Sequence, residues 1–474
     1  MRKPIPAVVS RCVIAALAAL VHGVCAAQGL APPAQPEPLT PAANEAEAAR
    51  SYSVPALEIV GFDFLLNRYN RRFSGSNDYN VTLDSIRRNL RSGWGVDDDA
   101  FKINQLGHPY QGSMYHGFAR SAGLSFWESA GYTFAGSIGW EIAGENTKPS
   151  INDQIASGVG GSFLGESLFR MASLVLEHGD GVPRPMREVV AALISPSSGF
   201  NRLAYGKRFD SIFASRNPAY YSRLQLGLMA TAQNAQGLST LLKRNEAQAD
   251  FSMEYGLPGK PGYHYDRPFD YFAFQATGST ANGIENIMTR GLLVGRDYAA
   301  GQRYRGVWGL YGSYDYISPQ TFRISSTALS LGTTGQWRAT DTVVVQGSAM
   351  AGLGYAAVGT VNGSGERDYH YGAAPQALVA LRLIHGNNAS LDLTGREYFV
   401  TGVGNPGGGH DNIARVDLGL TMRVRNLHAI TVKYLWNRRD ATSAALGSRS
   451  QTRGTVGIFY TLLGQDRFGT VDWR

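Results

Sequence analysis

Residues 412–425 read NIARVDLGLTMRVR, and apolar side chains occupy every even position from Ala414 to Val424. The odd positions include the charged residues Arg415, Asp417 and Arg423. In a β-strand successive side chains point to opposite sides, so this strand has one hydrocarbon face and one ionic face. A soluble sandwich rarely shows this combination, whereas a membrane barrel with a polar lumen explains both faces. The stretch therefore predicts a strand of a transmembrane β-barrel.

Comparable segments recur throughout the last 260 residues or so of the chain. Besides 412–425, we predict strands beginning near Tyr220 and near 247–257, 267–277, 284–296, 302–316, 322–333, 342–357, 374–384, 389–401, 429–438 and 451–463. The strand near 302–316 places aromatic residues such as Trp308 and Tyr316 on its outward face, as interfacial girdles require. Weak strands such as 284–296 lack clean alternation, so the strand count is uncertain by about two. Residues 215–474 are therefore predicted to form an all-β transmembrane barrel of about 12 antiparallel strands.

The N-terminus predicts export. A short apolar core follows a basic region that contains Arg2, Lys3 and Arg11. The small residues of Cys25-Ala26-Ala27 form an acceptable cleavage site. Residues 1–27 are therefore predicted to be a signal peptide. Both cysteines, Cys12 and Cys25, lie within it, and the exported chain is expected to lack a thiolate nucleophile. Residues 28–52 are rich in Pro and Ala and predict a disordered linker. The expected location is the cell outer membrane, in contact with its lipid.

Residues 53–212 have the texture of a mainly α-helical domain. Helices are predicted over 57–73, 82–90, 112–145, 151–177 and 186–194, with a loop at 195–199. Ser150 and Asp153 form a predicted capping pair at the start of the fourth helix. Small residues such as Gly131 and Gly139 recur every four positions on the third helix, and Gly161 and Gly165 lie on the fourth. Such rows allow close backbone approach, and they predict a Gly-rich antiparallel hairpin.

Polar residues that a purely structural hairpin would not need are concentrated between Asn104 and Arg170. They form spaced motifs that include Asn104-Gln105, His108-Pro109-Tyr110, Trp140-Glu141, Asn152-Asp153 and Gly165-Glu166. This pattern resembles a bacterial domain-of-unknown-function family, DUF3943, of exported, outer-membrane-type proteins. The resemblance covers residues 55–210 well and the barrel only loosely. It implies the location and no established activity.

Two interpretations of this polar region remain open. In the first, it is a buried ionic cluster that transfers protons or holds a ligand, with His108, Glu141 and Glu145 as candidate acid/base groups. The candidate binding residues are Asn104, Tyr115, Arg120, Asp153, Glu166 and Arg170. In the second, the charges are paired and dock the hairpin against the charged barrel lumen. No histidine spacing typical of zinc sites occurs, so we expect no metal and no cofactor.

The inward faces of the predicted strands carry more cations than anions. Arg223, Arg415, Asp417 and Arg423 are the candidate lumen residues, and the balance favours a small anionic ligand if the lumen conducts. A salt-bridged, closed interior is the equal alternative, because a barrel of this size has a narrow bore. The formal net charge is +7, but the sequence contains no block of Lys and Arg residues typical of nucleic-acid-binding proteins. No nucleic-acid partner is therefore expected.

The sequence favours a gated passage or binding site for small polar or lipidic molecules. One alternative is a membrane-embedded enzyme that acts on lipid or envelope polymer, and another is a structural partner in envelope assembly. The chain is more consistent with a non-enzyme, since G-x-S-x-G and comparable nucleophile motifs are absent. The glycine pattern at 402–407 lies between two predicted strands, so it is not a dinucleotide motif.

Overall fold

The computed structural model describes residues 50–178, 182–210, 212–235, 242–319, 322–359, 365–402, 408–444 and 447–473. The chain divides into two compact units between Ser215 and Arg216. The predicted signal peptide and residues 28–49 of the predicted linker lie outside the described residues, as does the glycine pattern at 403–407.

The first unit is helical, as predicted. Its α-helices are α1 (Ser53–Phe73), α2 (Leu83–Arg91), α3 (His108–Ser121), α4 (Phe126–Ala143), α5 (Ile151–Asp153), α6 (Gly161–Glu177), α7 (Arg184–Ile194) and α8 (Pro196–Tyr205). The π-helical segments π1 (Ile103–Gly107) and π2 (Gln154–Gly160) precede α3 and α6. The predicted capping pair is confirmed, because Ser150 Oγ accepts a hydrogen bond from the Asp153 N–H at 3.2 Å. Among the described residues, no helix is both long enough and apolar enough to cross a membrane.

The prediction of one helix over 112–145 is wrong. The chain leaves α3 at Ser121, passes Gly123 with φ +88°, and begins α4 at Phe126. Ser125 and Glu128 form a reciprocal capping box at this new start, which satisfies free backbone N–H groups. The predicted loop at 195–199 is also wrong, since Ser195 is the N-cap of α8 and residues 196–199 form its first turn.

The break between α3 and α4 changes which helices form the close seam. An added Cβ at Gly131 would meet nothing within 4 Å, and one at Gly139 would meet only an Asp63 oxygen at 4.0 Å. The predicted antiparallel glycine seam through these two residues is therefore wrong. The seam lies between α3 and α6 instead, where an added Cβ at Gly161 would lie 2.6 Å from Gly112 Cα.

The seam between α3 and α6 joins parallel helices. Gly112 faces Gly161, and four residues later His116 faces Gly165 with 2.8 Å between its Cβ and an added Cβ on the glycine. One further turn along, the Arg120 guanidinium lies 4.6 Å from the centre of the Phe169 ring. The contacts advance in the same direction along both helices. Between these two helices the chain returns through α4, a segment that the sequence had predicted to continue α3 as one helix.

The second unit is a closed barrel of 12 antiparallel strands, which confirms the predicted fold class. The strands are β1 (Tyr220–Ala235), β2 (Leu242–Tyr255), β3 (Phe272–Ser279), β4 (Gly283–Ala300), β5 (Tyr304–Ile317), β6 (Arg323–Arg338), β7 (Val343–Gly359), β8 (Tyr369–His385), β9 (Ala389–Thr401), β10 (Gly409–Arg425), β11 (His428–Ser443) and β12 (Gly447–Leu463). Strand β1 pairs with both β2 and β12, which closes the barrel.

The predicted alternation holds on most strands. On β10, Leu418, Leu420 and Met422 are exposed outside, while Arg415 and Thr421 are buried inside. Not every outward position is open, because Tyr314 and Tyr316 share the parity of the exposed Trp308 and are fully buried. The girdle role expected for Tyr316 is therefore not supported by its burial.

Strand β4 fails to alternate because it contains a β-bulge. Its register against β5 shifts between Leu292 and Val294, leaving Leu293 as an extra residue. Before the bulge, the even-numbered residues Arg290 and Leu292 point inward. After the bulge, the even-numbered residue Val294 points outward and is exposed. The poor periodicity of 284–296 was therefore a real structural signal.

Candidate functional site

The first candidate site is a buried carboxylate cluster around His108, between π1 and π2. His108 Nε2 lies 3.9 Å from an Asp153 carboxylate oxygen, and Ser157 Oγ lies 3.4 Å from its Nδ1. Glu141 accepts a hydrogen bond from the Ser150 N–H at 2.8 Å, and Glu145 accepts one from Trp140 Nε1 at 2.9 Å. The helical unit thus brings three predicted acid or binding groups together around one histidine.

Burial controls the protonation of this cluster. It raises the pKa of Glu145 to about 7 and that of Asp97 to about 6. It also raises the pKa of Glu141 and Asp153, and the Asp153 carboxylate raises that of Glu141 further. The pKa of His108 is lowered, because burial disfavours the imidazolium. The cluster therefore holds protons on carboxyl groups near neutral pH and keeps its histidine uncharged.

The raised pKa of Glu145 predicts pH-dependent stability. Between pH 4.5 and about 7 the folded chain binds this proton more tightly than the unfolded chain, so stability falls as pH rises through that window. We expect Glu145→Gln to reduce the difference in melting temperature between pH 5 and pH 8, followed by circular dichroism at 222 nm. Asp84→Asn, at a side chain that is 92% exposed, is the control and should leave the difference unchanged. An unaltered pH difference in Glu145→Gln would show that this carboxyl ionises freely.

A second cluster forms where α3 crosses α6. Glu166 is fully buried and accepts hydrogen bonds from Arg120 Nε at 2.7 Å and from Arg170 Nε at 2.8 Å. His116 Nε2 lies 3.1 Å from the Glu166 carboxylate. The other ring nitrogen of His116, Nδ1, lies 3.5 Å from Thr133 Oγ1. Burial alone would raise the pKa of Glu166, but the two arginines and His116 hold it well below the usual range. This cluster is a fixed ionic network.

The nine candidate residues of the helical unit thus do not form one site. Asn104 lies in π1, close to His108 in the sequence. Tyr115 lies outside both clusters and donates a hydrogen bond from its hydroxyl group to the Asp63 carboxylate. Sequence reasoning missed Asp97 and His116 in these clusters, and it missed Asp63 beside Tyr115. Among the described residues, no three His, Cys, Asp or Glu side chains are arranged to hold a metal ion.

The second candidate site is a charged chamber inside the barrel, with a volume of about 140 Å³. It is lined by six cations and five carboxylates: Arg223, Arg290, Arg382, Arg396, Arg415 and Lys433, with Asp250, Glu254, Asp315, Asp392 and Asp417. A single water needs about 10–15 Å³ on this scale, so the chamber has room for on the order of ten waters. Three of the predicted lumen residues, Arg223, Arg415 and Asp417, line it.

Ion pairs cross-link most of the chamber wall. Asp392 accepts from Arg223 at 2.9 Å and from Arg382 at 2.7 Å, which ties β1 to β8 and β9. Asp417 pairs with Arg415 at 3.0 Å and with Arg396 at 3.4 Å. These bonds stiffen the wall and leave the chamber between them.

The C-terminal tail, residues 464–473, lies across the barrel end at which β1 begins and β12 ends. Phe468 and Val471 are buried in an apolar cluster with Tyr221, Val344 and Ile384, which lie on three different strands. The fourth predicted lumen residue, Arg423, lies at this end and not in the chamber wall. It pairs with Asp466 of the tail at 2.7 Å.

Polar bonds also hold the tail across this mouth. Gln336 and the Val471 backbone exchange two hydrogen bonds, of 2.7 and 3.0 Å. Gln346, which lines the chamber, donates to the Gly469 carbonyl at 2.8 Å. Trp473 Nε1 donates to the Gln302 carbonyl at 3.0 Å. The tail is thus bonded to several sides of the mouth and to the chamber wall.

An inward apolar layer occupies the opposite end of the lumen. It contains Met288, Ile317, Phe322, Ile324, Ala356, Val358, Ala374, Tyr398, Val400 and Ile413, all buried. These side chains come from the loop after β5 and from seven neighbouring strands, β4 to β10. The chamber therefore lies between this apolar layer and the C-terminal tail.

Comparison with curated proteins finds no match. Solved structures that are similar include the outer membrane channel DcaP of Acinetobacter baumannii, at 8% identity and a TM-score of 0.24, covering 52% of this chain and 98% of that one. An anion-selective porin from Comamonas acidovorans matches at 9% identity and a TM-score of 0.21, covering 51% and 99%. The toluene transporter TodX of Pseudomonas putida matches at 10% identity and a TM-score of 0.22, covering 52% and 90%.

The helical unit matches a family model directly. Residues 93–197 match the model of the family described as "Domain of unknown function (DUF3943)". This range contains both the His108 cluster and the Glu166 network, and it confirms the resemblance that the spaced polar motifs had indicated. Residues 93–197 of this chain are therefore similar to the DUF3943 family.

Proposed function

We propose that this chain is an outer-membrane barrel protein that acts as a gated passage for small polar solutes. The observation that carries the proposal is the charged chamber, which lies between a layer of apolar side chains and the C-terminal tail. A barrel that served only as an anchor would gain nothing from a polar chamber, because each buried charge has a desolvation cost.

The outward face supports a location in lipid. Leu228, Leu331, Leu353 and Ile458 are each more than half exposed, and they come from four different strands. Contiguous exposed apolar patches of this kind are unfavourable in water and are required in a bilayer. The predicted signal peptide gives the export route to the outer membrane.

The topology supports a periplasmic position for the tail. In bacterial outer-membrane barrels the short turns face the periplasm. Here the tail lies at the end that carries the tight β10–β11 turn at Asn426–Leu427 and the β8–β9 turn at Gly386–Asn388. The proposed gate would therefore respond to conditions or partners on the periplasmic side.

The tail is bound strongly enough to keep the passage closed at rest. Burial of Phe468 and Val471 contributes about 1.5–3 kcal/mol for each side chain, and each hydrogen bond adds about 0.5–1.5 kcal/mol. A closed state favoured by several kcal/mol leaves the open state a minor population, which a ligand or partner can increase only by binding it preferentially.

Solute flux into proteoliposomes tests the proposal. We expect little flux of a small sugar or amino acid through the full chain, and at least about a tenfold increase when Phe468 and Val471 are both replaced by serine, since each lost 1.4 kcal/mol changes the equilibrium tenfold. Deletion of residues 465–474 should give the same result. Thr470→Ala is the control, because its hydroxyl has no hydrogen-bond partner among the described residues. Equal, low flux in heat-resistant, folded variants would contradict a gated passage.

The enzyme alternative has weaker support. His108, Glu141, Glu145 and Asp153 are each less than one tenth exposed. A substrate would have to open the helical unit before it could reach these groups. Their raised carboxyl pKa values favour proton storage within the fold.

A further inference from the structure

Arg290 differs from the other cations of the chamber. Arg223 and Arg382 share Asp392, Arg396 and Arg415 share Asp417, and Lys433 lies 3.5 Å from Asp250. Arg290 forms neither a hydrogen bond nor an ion pair with any described residue, and its Nε is buried without a partner. An unpaired guanidinium in a largely enclosed site is costly unless something else compensates its charge.

The position of Arg290 is specific. It points into the lumen from β4, opposite Ala273 and Ser313 on the neighbouring strands. It lines the main chamber and also a smaller adjoining cavity of about 30 Å³. Arg396 lines both cavities too, and its Nε is a second buried donor without a partner.

Hydroxyl donors and one carboxylate complete the surroundings. Ser313 and Ser330 line the smaller cavity and can donate hydrogen bonds. Asp315 also lines both cavities, but it accepts the Tyr398 hydroxyl at 2.8 Å and does not form an ion pair with Arg290. The side chains that line the chamber include six cations and five carboxylates, so the lining has one more cation than carboxylates.

We propose that Arg290 and Arg396 bind a small oxyanion, a carboxylate or phosphate group of a solute, inside the barrel. Guanidinium groups match both anions with paired charge-assisted hydrogen bonds. The proposal rests on the gated passage proposed above, for which it names the solute class. The combined space admits a compact organic acid or inorganic phosphate and excludes a long chain.

Titration calorimetry of the full chain in detergent, in chloride-free buffer, tests the site. The probes are acetate, inorganic phosphate, and acetamide as the neutral isostere of acetate. We expect at least one anion to bind and acetamide not to bind. Tighter binding of acetate would identify a carboxylate solute, and tighter binding of phosphate would identify a phosphate solute.

Two arginine variants give a matched comparison on one strand. Arg290→Ala should weaken anion binding at least about tenfold, the effect of losing a charge-assisted hydrogen bond. Arg296→Ala should leave it unchanged, because Arg296 is exposed on the outward face of β4 after the bulge. Both variants lose one positive charge. Heat-resistant migration on gels should be retained in both, because Arg290 has no structural partner to lose.

The proposal would be overturned if wild-type protein bound neither anion more tightly than acetamide, or if Arg290→Ala bound as tightly as wild type. Binding in detergent does not require passage across a membrane. A protein that binds anions but shows no flux after tail removal would therefore refute the passage and keep the site. Flux without anion binding would refute the site alone.

Discussion

Replacement of Glu166 with alanine is expected to lower the free energy of unfolding of the helical unit by about 3–5 kcal/mol. The loss is large because Glu166 is the shared partner of Arg120 and Arg170, which are 8% and 1% exposed. Removing the carboxylate leaves two buried cations that water cannot reach. Glu166→Gln should be milder, since the amide oxygen still accepts one hydrogen bond.

Chemical denaturation followed by circular dichroism at 222 nm measures this change. Asp84→Ala is the control, because its ion pair with Arg87 is exposed and such pairs contribute little. A loss in Glu166→Ala no greater than in Asp84→Ala would show that the two arginines find other partners, and that the network does not hold α3 against α6.

The same substitution should have opposite effects at two glycines. Gly161→Ala places a Cβ 2.6 Å from the Gly112 backbone, and neither backbone can move without separating α3 from α6. We expect a loss of about 3 kcal/mol, the upper end of the overpacking range. Gly131→Ala meets open space in the middle of α4 and should gain up to about 1 kcal/mol from better helix propensity.

Unfolding free energies of these two variants test the position of the seam. The pair is expected to differ by about 3–4 kcal/mol. Equal changes in the free energy of unfolding, or a larger loss for Gly131→Ala, would contradict this seam. Such a result would support the antiparallel arrangement predicted from the row of small residues. Because the mutation is identical, differences in side-chain size cannot explain the result.

The barrel was predictable because each strand has two different faces. An apolar outer face and a polar inner face impose a period of two that the local sequence shows directly, as at Leu418 and Arg415. The helical unit obeys no such rule. Its break at Ser121–Phe126 depended on a capping box that competes with continuous helical periodicity, and periodicity alone does not show which helices become parallel neighbours.

The candidate sites were predictable only where their residues are close in sequence. The pairing of Glu166 with Arg170 follows from helical spacing, and parity identified Arg223, Arg415 and Asp417 as inward residues. Arg290 was missed because the bulge after it interrupts the alternation of β4. The tail was missed because 464–473 has no periodicity, and its partner Gln336 lies 135 residues before Val471.

Access to the chamber is the most direct measure of whether the tail closes it. Thr394 lines the chamber from β9, and a chain that begins after residue 27 contains no native cysteine. We predict that a charged thiol reagent modifies Thr394→Cys slowly in the full chain and quickly when residues 465–474 are deleted. Rapid modification in the full chain, or equal rates in both, would contradict a chamber closed by the C-terminal tail.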